Sequence, residues 1–145
     1  MEKEKKYVHH QIHIDWSELD YFGHVNNVSF FKYIQSARVN FWDEIGLKEH
    51  HLKHREGPML ASCKCDFKHP LYFPGKVKIQ STVDFVKNTS FSFVHHLFDE
   101  NDKPAAIATD IMVMYDFNAD KKMEIPNWLR NQLHPFSETT PWNLD

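Results

Sequence analysis

The stretch VSFFKYIQSARVNFWDEI, residues 28–45, decides how this chain folds, because its apolar residues recur at helical spacing. This spacing of three and four positions predicts one buried helix face, formed by Phe30, Tyr33, Ile34, Ala37, Phe41 and Ile45. Phe31, Val39 and Trp42 lie outside that face, so the helix is apolar over much of its circumference. We therefore expect a helix that is largely enclosed by other structure.

Both ends of this helix carry the residues that helix termini favour. Asn26 or Asn27 can cap the start, because an asparagine side chain accepts a hydrogen bond from an unpaired N–H of the first turn. Gly46 suits the end, and Leu47 after it is placed to fold back as an apolar contact.

The segments on either side of the helix predict strands. Residues 8–15, VHHQIHID, alternate loosely between apolar and polar side chains, and after Pro58 the same period of two returns. The predicted strands after the helix cover residues 59–68, 77–85, 91–97 and 105–117, and residues 126–133 predict a short closing helix. The order is strand, long helix, then four strands, which we expect in meander order.

This order predicts an α+β domain in which a curved antiparallel sheet of about five strands wraps around one long helix. Such a sheet leaves its edge strands and part of the helix uncovered. Edges of that kind are commonly closed by pairing with a second copy of the chain. We therefore expect a homodimer, or a dimer of dimers.

Length and composition exclude several classes of function. The 145 residues correspond to one domain, which we place at residues 1–145 with a core from about 8 to 133. The net charge of −3 provides no basic field for nucleic acid. No apolar run approaches the ~20 residues that a membrane span requires, and the charged N-terminus lacks the apolar core of a signal peptide. We expect a cytoplasmic protein.

The cysteines and histidines do not predict a metal site. Cys63 and Cys65 are two residues apart on one face of a predicted strand, an unfavourable geometry for a disulfide, so we expect reduced packing residues. His50, His51 and His54 cluster after the long helix, and we interpret them as part of a solvated stretch. No metal is expected.

The loop before the helix, SELDYFGHVNN at residues 17–27, combines an acid with a helix start. The unpaired N–H groups of a helix start, at the positive end of its dipole, would stabilise a carbonyl oxygen that becomes an oxyanion. The Asp20 carboxylate could attack the adjacent carbonyl carbon or activate a water to do so, and Gly23 would let the backbone approach a bound group. On these residues alone, however, a capped loop without catalysis is the better interpretation.

A resemblance along nearly the whole chain changes that balance. The stretch WSELDYFGHVNN, followed by ARVNFWDEIGL, resembles the hotdog-fold acyl-CoA thioesterases of the 4-hydroxybenzoyl-CoA thioesterase type. The later segments HPLYFPGKVKIQSTVDFVKNTSFSF, AAIATDIMVMYD and EIPNWLRNQL resemble the strands and tail of the same family. The resemblance covers about residues 8–133. It implies a hotdog fold and hydrolysis of an acyl-CoA to the free acid and coenzyme A, with no separate cofactor.

The resemblance also implies roles for individual residues. Asp20 matches the family's catalytic carboxylate, as nucleophile or general base, and Asn27 matches the residue whose backbone N–H polarises the carbonyl. His24 lines the same loop and is included as a catalytic candidate that would orient water or bond the asparagines. The implied substrate-binding residues are Gly23, Val25, Asn26, Phe30, Thr89 and Ser90. Thr89 and Ser90 would face the partner's loop, although both are equally well explained as turn residues. Phe30, Phe31 and Tyr33 are expected to line an apolar pocket or to pack in the core.

Two departures from the family pattern bear on function. Many members carry Asp-x-Asp, whereas here Glu18 precedes Leu19 and Asp20, and we expect Glu18 to be structural. The plant-type acyl-carrier-protein thioesterases share His-Val-Asn-Asn but carry an asparagine where this chain has Phe22, which favours the simpler aspartate mechanism. Thioesterase action on acyl carrier protein and a non-catalytic module that binds acyl-CoA remain the alternatives.

Overall fold

The computed structural model describes residues 6–137 of the chain. The six strands are β1 (Val8–His13), β2 (Glu56–Phe67), β3 (Lys76–Val86), β4 (Ser90–Phe98), β5 (Pro104–Asp116) and β6 (Lys121–Lys122). The helices are α1 (Asn27–Glu44), α2 (Leu47–His54) and α3 (Asn127–Leu133), with single 3-10 turns at Trp16–Glu18 and His134–Phe136. The predicted α+β class, the long helix and the five main strands are confirmed. None of the helices is long and apolar enough to cross a membrane in this part of the chain.

The strands form one antiparallel sheet in the order β1-β3-β4-β5-β2, with the two-residue strand β6 beside β5. The predicted meander is correct for β3, β4 and β5 but wrong for β2, which pairs with β5 at the opposite edge from β1. The connection between β2 and β3 contains two prolines and the buried Leu71, so it crosses the end of the sheet and does not close a hairpin.

Helix α1 lies against one face of this sheet. All six residues of the predicted apolar face are buried. The expectation of an enclosed helix is wrong for the single chain, because the sheet covers one side only: Val28 is 64 %, Phe31 37 % and Val39 43 % exposed. An apolar strip of α1 therefore faces outward.

The stretch after α1 forms the helix α2, and most of it is exposed, as expected, with His54 exposed and only His50 and His51 half-buried among its histidines. Gly46 adopts the left-handed conformation at φ 81° and separates α1 from α2, while Leu47 folds back and is buried as predicted. His50 Nε2 lies 2.8 Å from the Glu56 carboxylate, and its ring packs on Trp128 with centroids 4.6 Å apart. These contacts with β2 and α3 stabilise α2 although its sequence has little apolar character.

The core consists of two apolar clusters separated by a polar layer. One cluster surrounds the first half of α1 and includes Tyr33, Ile34 and Ala37, while the other surrounds its second half from Phe41 onward. Between them four elements each supply one buried polar residue: Arg38 from α1, Ser81 from β3, His95 from β4 and Asp110 from β5. On each of the three strands, the polar residue has a member of one cluster two positions before it and a member of the other two positions after it. Residues two positions apart in a strand lie on the same sheet face, so the layer and both clusters share one face.

Hydrogen bonds connect the four residues of the polar layer. Arg38 donates to both oxygens of Asp110, from Nε at 2.8 Å and from Nη2 at 3.0 Å. His95 Nε2 lies 2.7 Å from Asp110 Oδ2, and His95 Nδ1 lies 2.6 Å from the Ser81 hydroxyl. Burial alone would raise the pKa of Asp110, but the bonds from His95 and Arg38 outweigh it and lower this pKa to about 2. The layer therefore fixes the position of α1 along its axis.

Candidate active site

Asp20 lies at the base of a tight hairpin that immediately precedes α1. Its N–H donates to the His24 carbonyl at 2.6 Å, and its Oδ1 accepts the N–H groups of Phe22 at 2.8 Å and His24 at 3.0 Å. Leu19 and Val25 pair across the two sides of the hairpin. Because one carboxylate oxygen holds the turn together, the other, Oδ2, remains for a ligand.

The hairpin requires its glycine. Gly23 has φ 83°, in the left-handed region that residues with a side chain rarely adopt. A Cβ at this position would meet no atom within 4 Å, so the requirement is the backbone angle and not the space.

The start of α1 leaves two backbone donors for a ligand. Asn26 is the capping residue, with its side-chain oxygen 2.7 Å from the Ser29 N–H and its carbonyl accepting from the Ser29 and Phe30 N–H groups. The first N–H groups of a helix have no partner inside it. Since Asn26 satisfies those of Ser29 and Phe30, the N–H groups of Asn27 and Val28 are the ones that remain for a ligand.

An open cavity of about 330 Å³ brings these groups together. The predicted site residues on its lining are Asp20, His24, Val25, Asn27 and Phe30. Four further lining residues, which sequence analysis missed, come from the end of β2 and the segment after it: Phe67, Lys68, His69 and Pro70. In the sequence, these residues are marked only by their position at a proline-containing break. That position does not show that the segment lies beside the Asp20 loop. In the structure, the Val25 N–H donates to the Leu71 carbonyl at 2.9 Å and holds the segment against the loop.

The remaining predicted site residues lie elsewhere. Gly23 and Asn26 shape the hairpin and the helix start and are not part of the cavity lining. Thr89 and Ser90 lie at the beginning of β4, whereas the cavity is near the end of that strand, roughly 20 Å away at about 3.3 Å per residue. Tyr33 is in the core and the half-exposed Phe31 faces outward, so neither lines this cavity.

Known proteins resemble this chain in sequence and in fold. Residues 14–133 match the model of the thioesterase-like superfamily. This chain belongs to the thioesterase-like superfamily. The match begins just after β1 and includes the Asp20 hairpin, α1 and the other four main strands.

Several relatives of this superfamily member are known. It is 30 % identical over 122 residues to the chloroplastic acyl-acyl carrier protein thioesterase ATL3 of Arabidopsis thaliana; the match covers 82 % of this chain and 63 % of that relative's length. A predicted thioesterase from Bacillus stearothermophilus superposes with TM-score 0.81 at 18 % identity, covering 91 % of this chain and 97 % of that one. The DHNA-CoA thioesterase of Staphylococcus aureus superposes with TM-score 0.77 at 14 % identity, covering 90 % and 88 %. The fold of this thioesterase-like protein is the predicted hotdog fold.

His24 contributes to the site in two ways. Its backbone closes the hairpin with Asp20, and its ring packs edge-on against Tyr72, with the ring centroids 5.2 Å apart. The ring is half-buried at the cavity wall. The imidazole is therefore held by an aromatic contact beside the cavity.

The two cysteines of this superfamily member are free and half-buried. Burial, with a smaller effect of Asp110, raises the pKa of Cys63 to about 12, and burial raises that of Cys65 to about 11. Both thiols are therefore protonated near neutral pH and are poor nucleophiles. No three metal-binding side chains among residues 6–137 are grouped to hold an ion.

Proposed function

We propose that this protein hydrolyses acyl-CoA thioesters to a free carboxylic acid and coenzyme A. The observation that supports the proposal is that the Asp20 carboxylate and the unpaired N–H end of α1 share one cavity. A thioester needs both an attacking group on its carbonyl carbon and donors for the developing negative charge on its oxygen. Membership of the thioesterase-like superfamily and the structural likeness to a DHNA-CoA thioesterase are in keeping with this reaction.

In the proposed reaction the thioester carbonyl oxygen accepts the N–H of Asn27. Asp20 Oδ2 either attacks the carbonyl carbon or removes a proton from a water that attacks it. If Oδ2 attacks, the carbon–sulfur bond breaks to leave the acyl group on Asp20 as a mixed anhydride, and water then hydrolyses this anhydride to the acid and frees the carboxylate. If the water attacks directly, the carbon–sulfur bond breaks and the acid forms in one displacement. In both routes the thiolate of coenzyme A takes up a proton and the oxygen of the water ends in the carboxyl groups. His24 would orient this water, and Phe30 and Phe67 would contact the acyl group.

Substitution of Asp20 tests this proposal, and the chain offers a matched control. Asp99 holds its turn by the same pattern of bonds: its Oδ1 accepts the N–H groups of Asn101 and Lys103, both at 2.9 Å, and its N–H bonds the Lys103 carbonyl. Asp20→Asn should lower kcat on acyl-CoA esters at least about a hundredfold, whereas Asp99→Asn should retain wild-type turnover. Thiol release across a panel of acyl chain lengths measures both.

Two results would contradict this function. Unchanged turnover in Asp20→Ala with the fold intact would remove Asp20 from the mechanism. Binding of CoA esters without thiol release by the wild type would make the protein a binding module and not an enzyme.

A second candidate is hydrolysis of acyl groups carried on acyl carrier protein. The 30 % identity to the plant acyl-acyl carrier protein thioesterase favours it, although Phe22 replaces an asparagine of the plant-type pattern. Paired assays with the same acyl group on coenzyme A and on acyl carrier protein decide between the two. A kcat/KM more than about tenfold higher on the carrier protein would make it the substrate.

We also propose that the protein works as a homodimer, or as a dimer of dimers. Strand β2 has twelve residues and an unpaired edge, and Met59 and Leu60 are 45 % and 44 % exposed. A long exposed apolar edge favours pairing with another strand. Such a dimer would also give Thr89 and Ser90 a position from which to face the partner's loop.

A further inference from the structure

Glu18 is a buried carboxylate that the proposed chemistry does not use. It is 8 % exposed, although it lies only two residues before Asp20, which is exposed. Buried carboxylates are costly unless charged and polar groups surround them. The presence of one beside the candidate site therefore calls for a role.

The partners of Glu18 come from both sides of the loop. Its Oε1 accepts the Asp15 N–H at 2.8 Å and the Tyr33 hydroxyl at 2.7 Å, and its Oε2 lies 3.2 Å from Lys32 Nζ. Burial alone would raise the pKa of Glu18, but these bonds outweigh it and leave this pKa below its usual value. Tyr33 and Lys32 belong to the second turn of α1, so the side chain connects the start of the loop to the helix.

The backbone of Glu18 makes a second connection to the same helix. Its carbonyl accepts the N–H of Asn26 at 2.8 Å, and Asn26 is the residue that caps α1. The Asp20 hairpin is closed by its own bonds between Asp20 and His24, none of which reaches the helix. The placement of the hairpin relative to α1 therefore depends on the residues at its two ends, and Glu18 connects both ends.

We propose that Glu18 is a positioning residue, which sets the distance between the Asp20 carboxylate and the N–H groups at the start of α1. This inference rests on the proposed function. It assigns to Glu18 a contribution to turnover through Asp20 and not a contact with substrate. A displacement of about 1 Å of a reacting group costs about a hundredfold in rate, so the loss of such an anchor is measurable.

Steady-state kinetics of Glu18→Ala test the proposal. We expect kcat to fall about ten- to a hundredfold with KM within about threefold, because substrate contacts remain while the attacking group is misplaced. Glu18→Gln should restore kcat to within about threefold of wild type, since its amide oxygen can still accept from Asp15 and Tyr33. The control is Glu56→Ala, which removes a carboxylate bonded to His50 far from the loop and should leave kcat unchanged.

A double variant separates positioning from general destabilisation. If Glu18 acts through Asp20, adding Glu18→Ala to Asp20→Asn should lower the residual activity by no more than about twofold. A further ten- to hundredfold loss in the double variant, or an equal loss in Glu56→Ala, would overturn the proposal.

Amide hydrogen exchange gives a readout that does not need activity. In Glu18→Ala the N–H groups of His24 and Asn26 should exchange at least about tenfold faster, while that of Phe93 in the sheet core stays unchanged. Unchanged exchange at His24 and Asn26, or an equal acceleration at Phe93, would overturn the positioning role. A wild type without thioesterase activity but with this exchange pattern would refute the proposed function and leave the anchoring by Glu18 established.

Discussion

Asp20 and Asp99 show how little of a residue's function lies in its own bonds. Both close a turn with the same two acceptor bonds to the N–H groups two and four residues later. Only Asp20 is followed by a helix start that opens into the same cavity. The helix start beside Asp20, and not its own hydrogen bonds, therefore distinguishes this candidate catalytic carboxylate from the structural Asp99.

The cap of α1 permits a prediction at the same scale. Asn26→Ala removes the acceptor of the Ser29 N–H and should lower the free energy of unfolding by about 1 kcal/mol. Asn26→Asp keeps an acceptor and should retain stability, but its negative charge beside the helix start would oppose the developing oxyanion and lower kcat. Urea denaturation and thiol-release assays measure the two effects. Equal stability of Asn26→Ala and wild type would refute the role of the cap.

Sequence analysis could identify the local part of the site but not the part that depends on tertiary contacts. Asp20, Asn26 and the apolar face of α1 follow from neighbours in the sequence, since caps and helical spacing are local properties. His95 lies two residues after Phe93 and four after Phe91 on β4, and all three are buried on the same face. The partner of His95, Asp110, is 15 residues away on another strand, and the spacing of a single sequence does not reveal such a pair. For the same reason, the sequence did not indicate that Lys68 and His69 line the cavity.

Strand β3 shows why simple alternation of side chains does not describe every strand, because its register is irregular near its end. An uninterrupted strand over residues 77–85 would place Phe85 on the same face as the buried Val83, because the two are two residues apart. A register shift between Val83 and Val86 instead makes Val86 the buried residue, while Phe85 is only half-buried. One extra residue in a strand reverses the faces of those that follow it.

The polar layer between α1 and the sheet predicts how stability depends on pH. The pKa of Asp110 is about 2 in the folded protein, below its ordinary value of 3.8, so the ionised form stabilises the fold. That contribution is complete above about pH 4 and is lost as the pH falls from there towards 2. It amounts to about 2 kcal/mol. Urea denaturation of the wild type at several pH values should show this decrease.

Asp110→Asn tests the assignment of this decrease. It should lower the free energy of unfolding at pH 7 by about 3–5 kcal/mol, because Arg38 stays buried without its counterion. It should also remove the contribution of Asp110 to the acid dependence. The control is Asp84→Asn, an exposed position on β3, which should keep the wild-type pH dependence. The same pH dependence in Asp110→Asn as in wild type would place the acid-sensitive group elsewhere.

At the scale of the whole molecule, the exposed edge of β2 predicts assembly. Leu60→Lys places a charge in the middle of the exposed strand and should convert a dimer into a monomer, since a lysine on an edge opposes strand pairing. The control is Leu52→Lys on α2, where the leucine is 70 % exposed and lies outside β2. Light scattering at micromolar concentration measures the mass. A wild-type monomer, or dissociation of both variants, would refute pairing through β2.

The division of the core also has a consequence for protein engineering. The cluster beyond the polar layer, with Leu129 and Leu133 from α3, contains none of the residues that line the Asp20 cavity. Libraries that vary this cluster alone can be screened for heat resistance while the Asp20 hairpin keeps its surroundings. The other cluster includes Val25 and Phe30, which line that cavity, so its variation is the route to altered substrate preference.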